Sequence, residues 1–361
     1  MPNSAARLSD RVQSAVVRGL AGLPDGFLRL ITGRPISVDS QQLHPETQLG
    51  LKLLELAGTP PLQELTPAEA RDRVAHDART FEGPKIQIPE VRDLKVGDGG
   101  LAARLYVPNP PETDGPLIVY FHGGGFVVGD LDTHDNLCRM LARCSGARIL
   151  AIGYRLAPEM PFPGPVEDCL TGFRFAVEHH RELGADPNRI GVAGDSAGGN
   201  LATVVARMAL TGSDTGPAFQ LLFYPWLDLA HKRRSYELFG EGFYLTESDL
   251  DWYRDQYLAQ DEDASDPRCS PLLADDLSRL PPAYIATAGF DPLRDDGEAY
   301  AQRLRAAGVP AALRRHTGLI HGFANTVGVG HVGREAVLEA AGALQVGLAG
   351  TASARLAATG A

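Results

Sequence analysis

Arg189-Ile190-Gly191-Val192-Ala193-Gly194-Asp195-Ser196-Ala197-Gly198-Gly199-Asn200 is the stretch on which the fold turns. Ile190–Ala193 is a short, continuous apolar run of the kind found in strands buried on both faces of a parallel sheet. Ala197 to Leu210 then repeats its apolar residues at helical spacing. Between the two lies Gly194-x-Ser196-x-Gly198. A strand that enters a helix this abruptly has no room for side chains two before and two after the serine, and glycine stands at both places. The strained turn lifts the Ser196 hydroxyl above the sheet, and the helix that starts there points backbone N–H groups at the same spot. The motif alone is a weak signal, because ordinary strand-to-helix turns share it. Its position strengthens it, since open α/β sheets bind ligands at the carboxyl ends of their strands.

Outward from that turn the pattern recurs. Pro116–Phe121, Arg148–Tyr154, Phe219–Tyr224 and Ala283–Ala288 are further buried-strand runs, and Ala311–His316 is strand-like. Ile86–Lys95 and Leu101–Val107 flank the turn at 96–100 and read as two more strands. Val166–Leu183 is amphipathic at helical period. Strands alternating with helices predict an α/β fold with a mostly parallel central sheet flanked by helices. Ahead of it, Val12 to Leu30 and Leu49 to Leu56 read as helices separated near Gly33–Pro35. Thr66-Pro67-Ala68-Glu69 has the form of a helix start. Trp226 to Ser270 breaks the alternation with an aromatic, acidic stretch, expected to be a helical insertion over the strand ends that packs on the N-terminal segment. The expected organisation is therefore an N-terminal helical segment over 1–80 that contributes to a cap, an α/β body over 81–225 and 271–350, an insertion over 226–270, and a tail over 351–361. Gly350 to Ala361 is expected to fray.

Two further motifs follow buried strands. Phe121-His122-Gly123-Gly124-Gly125-Phe126 spends conformational entropy on three consecutive glycines, which a fold tolerates where backbone must approach a ligand closely. An oxyanion held by backbone amides meets that description. Gly124 and Gly125, with Ala197 from the turn, are the expected donors, and Gly123 could replace one of them. His122 is read as a loop-shaping residue. The rival reading, a phosphate cradle, lacks Gly-Lys-Ser/Thr, and its glycine spacing misses the dinucleotide fingerprint. After the serine, acid and base are expected in the chain order Ser, Asp/Glu, His. Asp291 follows the run Ala283–Ala288 and His321 follows Ala311–His316. Asp295 and Asp296 compete with Asp291 but lie a helical turn further on, and His316 competes with His321 but sits inside the strand. A serine hydroxyl is a poor nucleophile at neutral pH. It needs an imidazole to take its proton and a carboxylate to hold that imidazole.

Bulk properties narrow the function. A net charge of −11 argues against a nucleic-acid surface. No apolar run approaches the roughly 20 residues of a membrane span, and early charges interrupt any signal peptide, so stable membrane insertion is not expected and a cytoplasmic location is. Cys138, Cys144, Cys169 and Cys269 form no Cys-x-x-Cys pair and read as reduced thiols. Only His134 and Cys138 approach metal-ligand spacing, so no metal and no cofactor is expected. No fixed-period repeat is present.

Taken together, the glycine loop, the elbow, Asp291 and His321 resemble the hormone-sensitive-lipase-like esterases of the α/β-hydrolase superfamily, in the subgroup whose elbow reads Gly-Asp-Ser-Ala-Gly. The likeness runs from Leu117 to Phe323. It includes Tyr154-Arg155-Leu156-Ala157-Pro158-Glu159, Phe162-Pro163, Tyr224-Pro225, Ser270-Pro271-Leu272 and Asp291-Pro292-Leu293-Arg294-Asp295. The resemblance implies a cofactor-free serine carboxylesterase acting on short- to medium-chain acyl esters through an acyl-enzyme. A helical cap over the site and a homodimer are implied as well. The N-terminus is longer than usual in that family. The same residues could serve an amide or formamide hydrolase or an acyltransferase. A non-catalytic small-molecule receptor on this fold is the reading from another class, though such proteins tend to lose a triad member.

Overall fold

The computed structural model describes residues 14–81, 83–108, 114–210 and 216–359. Its N-terminal segment carries α1 (14–21), α2 (Asp25–Thr32), the two-residue strands β1 (Ser37–Val38) and β2 (Gln41–Gln42), α3 (Pro45–Ala57) and α4 (Pro67–Phe81). Val12 lies outside the described residues, and from residue 14 on the helix expected over Val12 to Leu30 is thus two helices. Pro24, which precedes α2 in an extended conformation, breaks it. The helix start at Thr66 forms as expected, with the Glu69 amide donating to Thr66 Oγ1 and the Thr66 amide donating to the Glu69 carboxylate.

The body is one sheet of eight strands. In chain order these are β3 (Glu90–Val96), β4 (Leu101–Val107), β5 (Gly115–Phe121), β6 (Arg148–Gly153), β7 (Ala185–Asp195), β8 (Gln220–Phe223), β9 (Ala283–Phe290) and β10 (Ala311–Ile320). In space they run β10-β9-β8-β7-β5-β6-β4-β3, and only the β3–β4 and β4–β6 pairs are antiparallel. The strand expected from Ile86 starts late, at Glu90. Residues 84–88 instead lie along α5 (Asp135–Ser145), where the Ile86 amide donates to Asn136 Oδ1 and Asn136 Nδ2 donates to the Pro84 carbonyl.

β5 shows why the strands read as unbroken apolar runs. Leu117, Val119 and Phe121 face a core shared with α6 (Gly164–Glu178) and α7 (Ala197–Met208), while Ile118 and Tyr120 face a second core on the opposite side. Helices cover both faces, so both sets of alternate side chains are buried. The insertion supplies α8 (Arg234–Phe239) and α9 (Glu247–Tyr257). Leu245 and Leu250 join Leu62 of the N-terminal segment in one apolar cluster, and Gln63 Nε2 donates to Asp249. α10 (Arg294–Ala306) follows β9, and α11 (Val332–Thr359) closes the second face. The α11 backbone stays helical through Gly350 to Thr359, part of the stretch expected to fray.

α11 docks through Val337, Ala340, Ala341, Leu344 and Leu348, all buried on one face of the helix, while Gly342 is exposed on its outer side. Leu344→Ala is expected to cost about 2–5 kcal/mol of stability by leaving a cavity. Gly342→Ala, where an added Cβ meets nothing within 4 Å, should add about 0.5–1 kcal/mol by restricting the unfolded chain. Denaturant titrations of the two variants beside the wild type check both signs.

Candidate active site

β7 ends at Asp195, and Ser196 turns the chain into α7 with φ 55° and ψ −121°, a conformation rare for a residue with a side chain. The flanking glycines are there for space. A Cβ on Gly194 would collide with the Gly198 carbonyl, and one on Gly198 would collide with the Phe121 carbonyl. The clash foreseen at this turn is therefore with backbone, and any side chain larger than hydrogen would push the start of α7 away from β5 and β7.

Ser196 Oγ lies 3.0 Å from His321 Nε2, and His321 Nδ1 lies 2.8 Å from Asp291 Oδ2. All three residues are buried. The Leu293 amide donates to the other Asp291 oxygen at 2.8 Å, which fixes the carboxylate plane. With Asp291 accepting at Nδ1–H, His321 presents an unprotonated Nε2 to the serine hydroxyl. β10 loses regular pairing with β9 between His316 and Ile320, and this irregularity re-aims the chain just before His321. The three sequence-selected residues thus meet across the ends of β7, β9 and β10.

The rivals are engaged elsewhere. Asp295 accepts from the Ser235 amide and from Arg294. Asp296 accepts from the Leu227 and Asp228 amides and faces Arg233; burial, and then the neighbouring Asp228 carboxylate, raises its pKa well above the ordinary range. His316 packs edge-on against Phe323. His122 stacks on Tyr154 with ring centroids 4.2 Å apart, and burial, aided by the nearby His134, lowers it to about 4, so it is neutral.

Gly124 and Gly125 both hold positive φ, and a Cβ on Gly124 would strike the Val128 carbonyl. Among the described residues, the amides of Gly124, Gly125 and Ala197 donate to no protein group. The Gly123 amide differs, because it donates to Asp195 Oδ1 at 2.9 Å.

Asp195 was not singled out by its sequence position, yet it ties the site together. Its carboxylate accepts from Tyr120 Oη, Gly123 N and Asn325 Nδ2, and faces His134 Nε2 at 3.3 Å. Burial opposes its charge, but His134, the Tyr120 hydroxyl and the Gly123 amide outweigh burial and lower its pKa. His134 responds in kind: burial pulls it down, the Asp195 carboxylate pulls it up more strongly, and the net shift is upward. The spacing of His134 to Cys138 therefore reflects a buried ion pair beside an apolar thiol.

The N-terminal segment also reaches the strand ends. Gln41 Nε2 donates to the Gly289 carbonyl, two residues before Asp291, and the His44 amide donates to the Gly318 carbonyl, three before His321. Away from the serine, Asp25, His44 and His331 are close enough to share a metal ion. His44 Nδ1, however, accepts the Glu46 amide N–H, so Nε2 carries the proton toward Asp25, an arrangement that suits a hydrogen-bonded cap better than a ligand set. All four cysteines are unpaired thiols and three are buried. No helix among the described residues is long and apolar enough to cross a membrane.

A mostly parallel sheet with a serine elbow, a glycine loop and an Asp–His pair past its last two strands defines an α/β hydrolase, and a family model described as the alpha/beta hydrolase fold matches residues 118–325. The chain belongs to that family, in its hormone-sensitive-lipase-like branch. It is 44% identical to the carboxylic ester hydrolase LipN of Mycobacterium tuberculosis over 337 residues, covering 90% of this chain and 88% of that one. It is 38% identical to an ethyl acetate hydrolase of Pseudomonas putida over 78% of this chain and 92% of the relative. Among solved structures, an ester-hydrolase from the Lake Arreo metagenome, complexed with a bipyridine phosphonate derivative, superposes with a TM-score of 0.82 at 40% identity, covering 84% of this chain and 98% of that one. A hyperthermophilic esterase from Pyrobaculum calidifontis gives 0.80 at 38% identity over the same shares.

The Asp195–His134 pair predicts a pH signature. A histidine whose folded pKa is raised adds stability that is complete below its unfolded value of about 6.5 and is lost as pH rises through the folded value. The melting-temperature advantage of wild type over His134→Gln is therefore expected to be largest near about pH 5–6 and to shrink toward about pH 9. An advantage that grows over this range would contradict the ion pair.

Proposed function

We propose that this protein is a serine carboxylesterase of short- to medium-chain acyl esters, working through an acyl-enzyme. The observation that carries the reading is the unbroken hydrogen-bonded chain Asp291–His321–Ser196 beside three amides that have no protein partner among the described residues. Ser196 Oγ attacks the ester carbonyl carbon while His321 Nε2 takes the hydroxyl proton, and Asp291 stabilises the imidazolium. The carbonyl oxygen, now negative, is held by the amides of Gly124, Gly125 and Ala197. The Gly123 amide is occupied by Asp195 and serves the loop instead. The tetrahedral carbon then expels the alcohol, which leaves with the proton from His321. Water, deprotonated by the same nitrogen, attacks the acyl-enzyme and frees the acid.

Two features support an acyl group of modest size. The cavity around Ser196 is about 130 Å³, and Leu62, Leu245, Leu250 and Tyr253 from the N-terminal segment and insertion close over it. These residues act as the cap in this reading. The relative named ethyl acetate hydrolase fits the same substrate class. The unpaired thiols suit a reducing compartment, and we infer a cytoplasmic enzyme.

The test is hydrolysis of p-nitrophenyl esters from acetate to palmitate by wild type and Ser196→Ala. Wild type should favour the short members, and the variant should lose roughly a millionfold in turnover. A folded wild type inert on every ester, or a Ser196→Ala variant that keeps its rate, would overturn the proposal.

A further inference from the structure

Two cavities meet at His321. The front one contains Ser196, Gly124 and Gly125. The rear one is larger, about 190 Å³, and is walled by apolar side chains of the N-terminal segment, among them Leu49, Leu53 and Leu54 of α3 and Ala78 of α4. Its walls include His321 and Gly322 but neither Ser196 nor the glycine loop. Building on the esterase reading above, we propose that this rear chamber receives the alcohol half of the ester, and that the preferred substrates are neutral esters whose alcohol carries a ring or a branched apolar group.

Geometry assigns the half. The carbonyl oxygen must face the amides of Gly124 and Gly125, whereas the leaving oxygen must come within hydrogen-bond reach of His321 Nε2 to receive its proton. The alcohol therefore projects past the histidine, away from the glycine loop, and the rear chamber opens there. The acyl group keeps the front cavity. Volume sets the size, since an apolar cavity of about 150 Å³ binds benzene and this chamber exceeds that. Charge sets the rest. The chamber's acidic groups are Glu46 and Asp77, and Asp77 lines both cavities. Burial raises the Asp77 pKa against the pull of Arg73 and His76, so an anionic alcohol would meet an already unfavourable carboxylate there.

Tyr244 marks the junction. It lines both cavities, and its ring lies beside Gly322, where an added Cβ would approach it to 3.4 Å. It holds φ at 77°, a strained conformation for a side-chain-bearing residue. Gly50 of α3 lines the chamber too, and a Cβ there meets nothing within 4 Å.

Gly50→Leu tests the proposal, because leucine replaces a helical glycine at a gain in helix propensity, and a thermal melt verifies the fold. The measurement is kcat/KM for two matched series: methyl, cyclohexyl and benzyl acetate, and methyl acetate, butyrate and octanoate. Wild type is expected to prefer benzyl or cyclohexyl acetate over methyl acetate. In Gly50→Leu the benzyl-to-methyl ratio should fall about tenfold, the scale of one misplaced apolar group in a pocket, and Leu53→Ala should move the ratio for bulkier alcohols the other way. The acyl series should keep its wild-type ratios in both variants. An unchanged benzyl-to-methyl ratio, or a shift confined to the acyl series, overturns the assignment while leaving the esterase reading intact. A wild type that cleaves none of these esters overturns both.

Discussion

The Asp195 carboxylate is buried between the end of β7 and the glycine loop, and four separate pieces of chain converge on it. Tyr120 comes from β5, Gly123 from the loop after it, His134 from the start of α5, and Asn325 from the turn that follows His321. The elbow residue before Ser196 is thereby bonded to the glycine loop and to the segment that follows His321. A charge in such surroundings survives only when every lone pair is used. Here the accepted bonds also set where Gly123 stops, and so where the free amides of Gly124 and Gly125 begin. Pre-organised donors of that kind cost nothing to reorient when charge develops on a substrate.

Backbone strain gathers around the same point. Phe126, Ser196, Tyr224 and Tyr244 all hold positive φ, and each lies on an element that borders the front cavity or the aromatic wall behind it. Such conformations persist only where the surroundings over-determine them. The surroundings are visible: Phe126 stacks on Tyr257 with ring centroids 3.8 Å apart, the Ser196 amide donates to the Phe223 carbonyl, and the Tyr224 ring sits 4.6 Å from His321. The rigid parallel sheet beneath supplies the stiffness that the turn at Ser196 requires.

What the sequence made legible follows from this physics. A strand buried on both faces must be a continuous apolar run, and a turn with no room for Cβ must be glycine, so β5, β7 and the elbow are written plainly. Asp291 and His321 were readable because each stands just past such a run. Helices α5, α10 and α11 were less so. α11 is rich in Ala and Gly and its docking face is shallow, while α5 and α10 carry charged residues whose partners come from distant parts of the chain, as with Arg294 and Asp39. Asp195 looked like a filler inside a motif, since nothing in its local sequence tells that Tyr120 and His134 will reach it. The break at Pro24 was visible as a proline, and a long apolar periodicity around it masked its effect.

The N-terminal segment shows how far one set of residues can serve two ends. Gln41 and His44 bond the carbonyls of Gly289 and Gly318, so the strand ends that present Asp291 and His321 are braced from outside the α/β body. Glu46, in the first turn of α3, accepts the His331 amide just before α11 and ties the same helix to the far side of the sheet. Those anchors fix the axis of α3, and the axis decides that Leu49, Leu53 and Leu54 face the space behind His321. Change in that apolar face alters the shape of the chamber while the polar anchors at the helix start stay in place. The separation is physical: bracing uses hydrogen bonds at the first turn of α3 and ahead of it, and chamber shape uses apolar side chains one to three turns later. A segment built this way can vary its chamber-facing surface without disturbing the hydrogen-bonded chain from Asp291 to Ser196.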